Sequence, residues 1–185
     1  MSNDGLEIVT QTNHLAPFLL TILLKKSLAA SGQARVVNVS SMMNVFGNIE
    51  VDNINHEKYF NADNVYSSSK LMNILFSKEL SRRWQSLGIT SYSLHPGFVR
   101  SSIFDRSSKR DLFIFLSYIV GKNIFQGAQT SIFLSSEPGI EDLTGQYFSD
   151  CRLETVLVNR QAEDMMLAGK LWERSQQLVE RWMVE

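Results

Sequence analysis

The chain of 185 residues alternates helical and extended segments, and that alternation predicts an α/β fold of parallel strands joined by right-handed crossovers. Two observations carry the prediction. Short β-branched runs occur at Ala34–Ser41 and Ile89–Leu94. Apolar residues recur at helical spacing before, between and after them.

The first helix is expected to open at Asp4, with Glu7 three residues later completing a capping box. Leu6, Val9, Leu15, Leu19, Ile22 and Leu23 then follow the helical period, and Ser31-Gly32 stops it after Ala30. The first strand comes next. Residues Met42 to Asn64 are polar, rich in asparagine and aperiodic, which reads as a long loop. A second helix is expected over Val65–Leu87, closed by Gly88, and a second strand over Ile89–Leu94, ended by His95-Pro96-Gly97. A helix over Gln126–Ser135 precedes Pro138-Gly139. Gly145–Phe148 suits a third short strand, and Gln161–Val179 a final helix carrying Met165, Leu167, Leu171 and Leu178. The whole, residues 1–185, reads as a single domain.

Composition narrows the function. Hydrophobic residues make up 44% and charged residues 20%, with a formal net charge of −1, so nothing points to nucleic acid. Cys151 is the sole cysteine, which excludes an internal disulfide and reads as a small buried hydrophobe rather than a nucleophile. The polar, acidic start is unlike a signal peptide. The apolar windows Ala16–Leu24 and Leu112–Val120 hold about nine residues each, against roughly 20 needed to cross a bilayer. A cytoplasmic or membrane-associated, cytosol-facing location is therefore expected. His14, His56 and His95 are too dispersed for a metal site, and no Gly-x-Ser-x-Gly elbow is present.

In open parallel sheets, ligands bind beyond the carboxyl ends of the strands. Ser40-Ser41 and His95-Pro96-Gly97 fall at such ends. Tyr66 and Lys70 share one face of the helix between the two strands, in its first two turns. A free phenol has a pKa near 10 and is a poor base at neutral pH, but a neighbouring ammonium favours the phenolate by about 1.4 kcal/mol for each unit of depression. Ser41 could hydrogen-bond a substrate oxygen while the phenol exchanges a proton with it.

Four ordered motifs carry a resemblance. They are Thr12-Asn13-His14-Leu15 with Phe18-Leu19-Leu20-Thr21, Val36-Val37-Asn38-Val39-Ser40-Ser41, Tyr66-Ser67-Ser68-Ser69-Lys70, and His95-Pro96-Gly97-Phe98-Val99-Arg100-Ser101. In order and spacing the chain resembles the short-chain dehydrogenase/reductase family. Its retinol dehydrogenase-like branch is the nearest match, through Lys70-Leu71-Met72-Asn73. The resemblance implies a Rossmann-type parallel sheet and transfer of a hydride between NAD(P)(H) and an alcohol or carbonyl, with NADP(H) favoured over NAD(H). It implies a lipophilic, retinoid-like substrate and allows a homo-oligomer.

By the same resemblance Tyr66 is the acid/base. Lys70 is its partner and also holds the nicotinamide ribose. Ser41 orients the substrate oxygen, and Ser40 is structural. The Asn13 main-chain carbonyl holds a water leading to the lysine, and Pro96, Gly97, Val99 and Ser101 line the nicotinamide. Pro17, which has no N–H, either frees that carbonyl or merely marks an irregular helix. Leu112–Val120 would line a lipophilic pocket or form a core helix. The aromatic and methionine residues of the last helix read as core or as a pocket wall.

A family member of full length begins with a strand and a Gly-rich pyrophosphate loop, and this sequence has neither. The expectation is therefore the C-terminal, catalytic half of the fold, with the N-terminal dinucleotide-binding half missing. The first strand should then have an open edge and two helices should have uncovered apolar faces. A truncated chain, inactive by itself and docking on a full-length relative as a binding or regulatory partner, is the alternative.

Overall fold

The computed structural model describes residues 1–99 and 121–183. Its helices and strands in chain order are α1 (Ile8–Thr10), α2 (Ala16–Leu23), α3 (Lys25–Ala30), β1 (Ala34–Val39), α4 (Ala62–Trp84), β2 (Ile89–His95), α5 (Ile124–Ser136), β3 (Tyr147–Ser149), β4 (Arg152–Leu153) and α6 (Met165–Val179). The strands form one sheet in the order β1-β2-β3-β4. The first three are parallel, as their helical crossovers require, and β4 returns antiparallel from β3.

The register of β1 on β2 determines which face each side chain takes. Ala34 lies opposite Ile89, Val36 opposite Ser91, and Asn38 opposite Ser93. These six side chains share the face toward α4, where Ala34, Val36 and Ile89 pack against Phe76, Leu80 and Trp84. Ser91 and Ser93 are fully buried. Their small size brings α4 close, and the contact is tied by Asn38 Nδ2 donating to Ser77 Oγ at 2.8 Å and Ser77 Oγ donating to the Tyr92 carbonyl at 3.1 Å. The other face of β2 carries Tyr92 and Leu94, which meet Leu134 of α5 and Phe148 of β3. The sheet is thus covered by α4 and α6 on one side and α5 on the other.

Several expectations shift at the boundaries. Glu7, not Asp4, caps the first helix: its carboxylate accepts from the Val9 and Thr10 amides at 3.0 and 2.6 Å, while its own N–H donates to Asn55 Oδ1 at 2.8 Å. Asp4 accepts from Gln11 Nε2 instead. The helix expected to run unbroken to Ala30 contains a π-turn at Gln11–Leu15 and breaks again at Leu24. The π-turn is where Pro17 withdraws an N–H from the ladder, so a local widening takes the place of a simple kink.

β1 ends at Val39, two residues early, because Ser41 turns to cap the 3₁₀ turn Met42–Phe46. The long loop carries that turn and a second one at Val51–Asn53. α4 and α5 each begin before the expected residue, the latter capped by Asn123 in a full capping box with Gln126. α6 starts later, at Met165, with Asp164 as its cap.

β4 was not anticipated. It follows a two-residue turn in which Asp150 and Cys151 take φ of 51° and 60°, a left-handed pair suited to a tight hairpin. Cys151 is consequently a half-buried turn residue and not a core hydrophobe.

The expected open strand edge and one exposed apolar helix face are present. β1 has no partner on its outer edge among the described residues. Leu20, Leu23 and Leu24 are 59%, 52% and 43% exposed, an apolar strip on α2 and its end. No helix among the described residues is long and apolar enough to cross a membrane. The segment Leu112–Val120 lies outside the described residues.

Gly88 closes α4 through a 3₁₀ turn at Gln85–Leu87 with φ of 73°, and a Cβ there would strike the Gly32 carbonyl oxygen. Gly88→Ala is expected to cost about 2 kcal/mol or more in urea unfolding, the left-handed penalty plus the clash.

Candidate active site

Helix α4 begins at Ala62, so Tyr66 and Lys70 stand one turn deeper in it than their sequence suggested. Close approach of α4 to the sheet places this stretch against the tip of β1. Ser40, buried at 2% exposure, donates its hydroxyl to the Lys70 carbonyl at 2.7 Å. Lys70 Nζ donates to the Val39 carbonyl at 3.2 Å and lies 5.6 Å from the Tyr66 ring centroid. The tyrosine is 38% exposed, open to a ligand. Burial lowers the Lys70 pKa from its ordinary value, and no charged group among the described residues contributes to that shift.

Ser41 follows at the mouth of the strand. Its hydroxyl accepts from the Met43 amide at 3.2 Å, which holds the side chain at the strand end while leaving its own O–H to donate. Asn13 reaches the same helix from the other side: its Nδ2 donates to Ser69 Oγ at 3.0 Å, and Ser69 Oγ donates to the Tyr66 carbonyl at 2.7 Å. Four of the expected residues (Asn13, Ser41, Tyr66 and Lys70) therefore hang on one strand tip and two turns of one helix. The linking residues Ser69 and Asn73 escaped sequence reading. Asn73 offered a signal, since three residues after Lys70 it occupies a neighbouring position on the helix surface.

Pro96 and Gly97 leave the end of β2, beside the β1 tip. Gly97 has φ of 87°, and a Cβ there would lie 2.6 Å from Lys122 Nζ. The left-handed φ is what favours glycine here, and Lys122 beside it donates to the Pro96 carbonyl at 3.4 Å and pairs with Asp150 of the hairpin turn. Val99 bridges Lys122 and packs on Gly127 of α5. Burial, then the Lys122 charge, lowers the pKa of neighbouring His95. Sequence gave no hint of the Lys122–Asp150 clasp, whose partners are 28 residues apart. Ser101 lies outside the described residues. No cluster of metal-ligating side chains occurs among the described residues.

A tyrosine and a lysine one turn apart thus stand at the carboxyl end of a parallel strand, beside a glycine loop. The short chain dehydrogenase family profile matches residues 1–111, and the chain is a member of that family. It is 43% identical over 173 residues to human retinol dehydrogenase 11, covering 93% of this chain and 54% of that protein. With human retinol dehydrogenase 14 the identity is 41% over 182 residues, covering 96% and 54%. The chain spans about half the length of the curated relatives it matches.

Among solved structures, an uncharacterized protein from Mycobacterium paratuberculosis superposes with a TM-score of 0.71 at 28% identity, covering 97% of this chain and 61% of that one. The NADPH-bound carbonyl reductase from chicken fatty liver superposes with a TM-score of 0.56 at 20% identity, covering 84% and 58%, and shares the fold.

Directly behind Asn13, the His14 ring is buried in the core. Burial pushes its pKa down to about 4 from 6.5, with the Asn73 side chain opposing. A ring neutral when folded takes up protons preferentially in the unfolded chain between those values, so stability rises with pH across that window. Urea titration is expected to show a loss of about 2 kcal/mol between pH 7 and pH 5. His14→Phe should flatten that slope.

Proposed function

We propose that this chain carries the proton-transfer half of a nicotinamide-dependent oxidoreductase acting on an alcohol or carbonyl. The observation that carries the reading is the meeting of Lys70 with the Val39 carbonyl, 5.6 Å from the Tyr66 ring, at the end of a parallel strand. The residues fit the nicotinamide-ribose end of a dinucleotide. Lys70 spends one N–H on Val39 and has two further donors, and the Pro96–Val99 loop borders the same strand ends. When bound, the nicotinamide supplies or accepts the hydride.

Tyr66 passes a proton to or from the substrate oxygen, and its partial exposure supports that role. Ser41 donates to the substrate oxygen and orients it. Asn13 steadies this turn of α4 through Ser69, and its main chain sits in the π-turn ahead of Pro17, where a carbonyl free of that proline can hold a water. A lipophilic, retinoid-like substrate follows the likeness to retinol dehydrogenases, and the choice of NADP(H) over NAD(H) follows only the resemblance of the sequence motifs to that branch. The Leu20–Leu24 strip and the open β1 edge favour a second reading, in which this chain docks on another polypeptide.

Two measurements test the proposal. NADPH titrated into the 185-residue chain should bind weakly, because no Gly-rich loop is present to hold the pyrophosphate. Joined behind the first half of human retinol dehydrogenase 11, the chain should reduce retinal. Tyr66→Phe in that chimera should lower kcat at least 100-fold with little change in NADPH affinity. A chimera that turns over equally well with phenylalanine at position 66 would sink the assignment.

A further inference from the structure

Ser41 opens the 3₁₀ turn Met42–Phe46, so its hydroxyl can be no steadier than that turn. At one end Ser40 Oγ fastens the strand tip to the Lys70 carbonyl. At the other, Ser68 Oγ accepts from the Asn48 amide at 3.0 Å and donates to the Asn48 carbonyl at 2.7 Å. Between these anchors, every hydrogen bond that leaves residues 41–47 among the described residues runs to Tyr147, Leu157 or Asn159.

Two side-chain amides make that connection. Asn44 is fully buried; its Oδ1 accepts from the Asn159 amide at 2.9 Å, and its Nδ2 donates to the Ser41 and Leu157 carbonyls at 2.8 and 3.1 Å. Asn159 Oδ1 accepts from the Gln161 amide at 2.8 Å, and its Nδ2 donates to the carbonyls of Asn44, Val45 and Gly47 at 3.2, 3.2 and 2.8 Å. A backbone N–H only donates and a backbone carbonyl only accepts, so neither amide can be turned over without setting donor against donor. The last carbonyls of a helical turn have no partner within it. Here Asn159 supplies one from 112 residues beyond Gly47, so Ser41 caps the turn at its start and Asn159 at its end.

We propose that Asn159 is a positioning residue for Ser41. It closes the turn that Ser41 opens and fixes Asn44 against the Ser41 carbonyl, which keeps the Ser41 hydroxyl in the one rotamer that accepts from the Met43 amide. Gly47 is buried, so without the Asn159 donor its carbonyl regains a partner only if the turn lifts to admit water, and Ser41 moves with the turn. The proposal rests on the reading of Ser41 given above.

The 185-residue chain tests this by NMR without any cofactor. In the wild type, Ser41 should show the Hα–Hβ couplings of a single rotamer, and the Asn159 side-chain amide should exchange about tenfold more slowly than that of exposed Asn3. Asn159→Ser keeps a cap for the Gln161 amide and removes the donor. It should average the Ser41 couplings over rotamers while Ser40, held on Lys70, keeps one. Asn159→Asp keeps the size of the amide but sets an anion against three carbonyls. There the averaging should appear as the carboxyl ionises and fade as protonation restores a donor. Ser41 couplings unchanged in both variants, with native-like amide spectra, overturn the proposal. So does averaging shared equally by Ser40, which marks general loosening. If neither variant folds, the wild type decides: a slow Asn159 amide with a single Ser41 rotamer upholds the clasp, and an amide as fast as that of Asn3 overturns it. None of these readouts depends on turnover, so an inactive chimera and a failed clasp are separate outcomes.

Discussion

The approach of α4 to the β1–β2 pair is the constraint on which the rest of the molecule depends. Serines at 77, 91 and 93 put little volume between helix and sheet, and the Asn38–Ser77 hydrogen bond spans the gap. The Asn38 amide and the Ser77 hydroxyl would be costly to bury unpaired, so their bond also sets the axial position of the helix. A larger side chain at any of these positions would lift α4 and carry Tyr66 and Lys70 away from the strand tip.

That tip is a set of backbone groups left over where the sheet ends. Among the described residues the Val39 carbonyl has no strand partner and accepts instead from Lys70 and Asn73, while Ser40 Oγ returns a hydrogen bond to the Lys70 carbonyl. Groups that would otherwise be unsatisfied are thereby turned into a mount for the candidate catalytic lysine. The Pro96-Gly97 loop is held by different means, through Lys122 and the hairpin turn at Asp150. The two halves of the site are thus anchored independently, one in the core and one at the rim.

The surface adds a second character. Among the described residues the outer edge of β1 is unpaired, and Leu20, Leu23 and Leu24 form an exposed apolar strip. Such surfaces seek partners. They accord with a chain that spans about half the length of its curated relatives.

Much of this was legible beforehand. Alternating periodicities named the class, glycines at 32 and 88 marked helix ends, and the Tyr66–Lys70 spacing put two functional groups on one helix face, because these features are local and backbone geometry repeats them faithfully. The capping of α1 by Glu7 depends on Asn55, far along the chain, and the π-turn arises from how Pro17 is accommodated under packing; neither could be read from spacing alone. The same holds for β4, whose turn is built from Asp150 and Cys151 rather than glycine, and for the Lys122 clasp. The sequence by itself determined the fold class and the candidate proton-transfer residues. Only the tertiary structure decided which carbonyl holds Lys70 and which buried amide shares it, because a hydrogen-bond partner distant in sequence is chosen by packing and leaves no periodic trace.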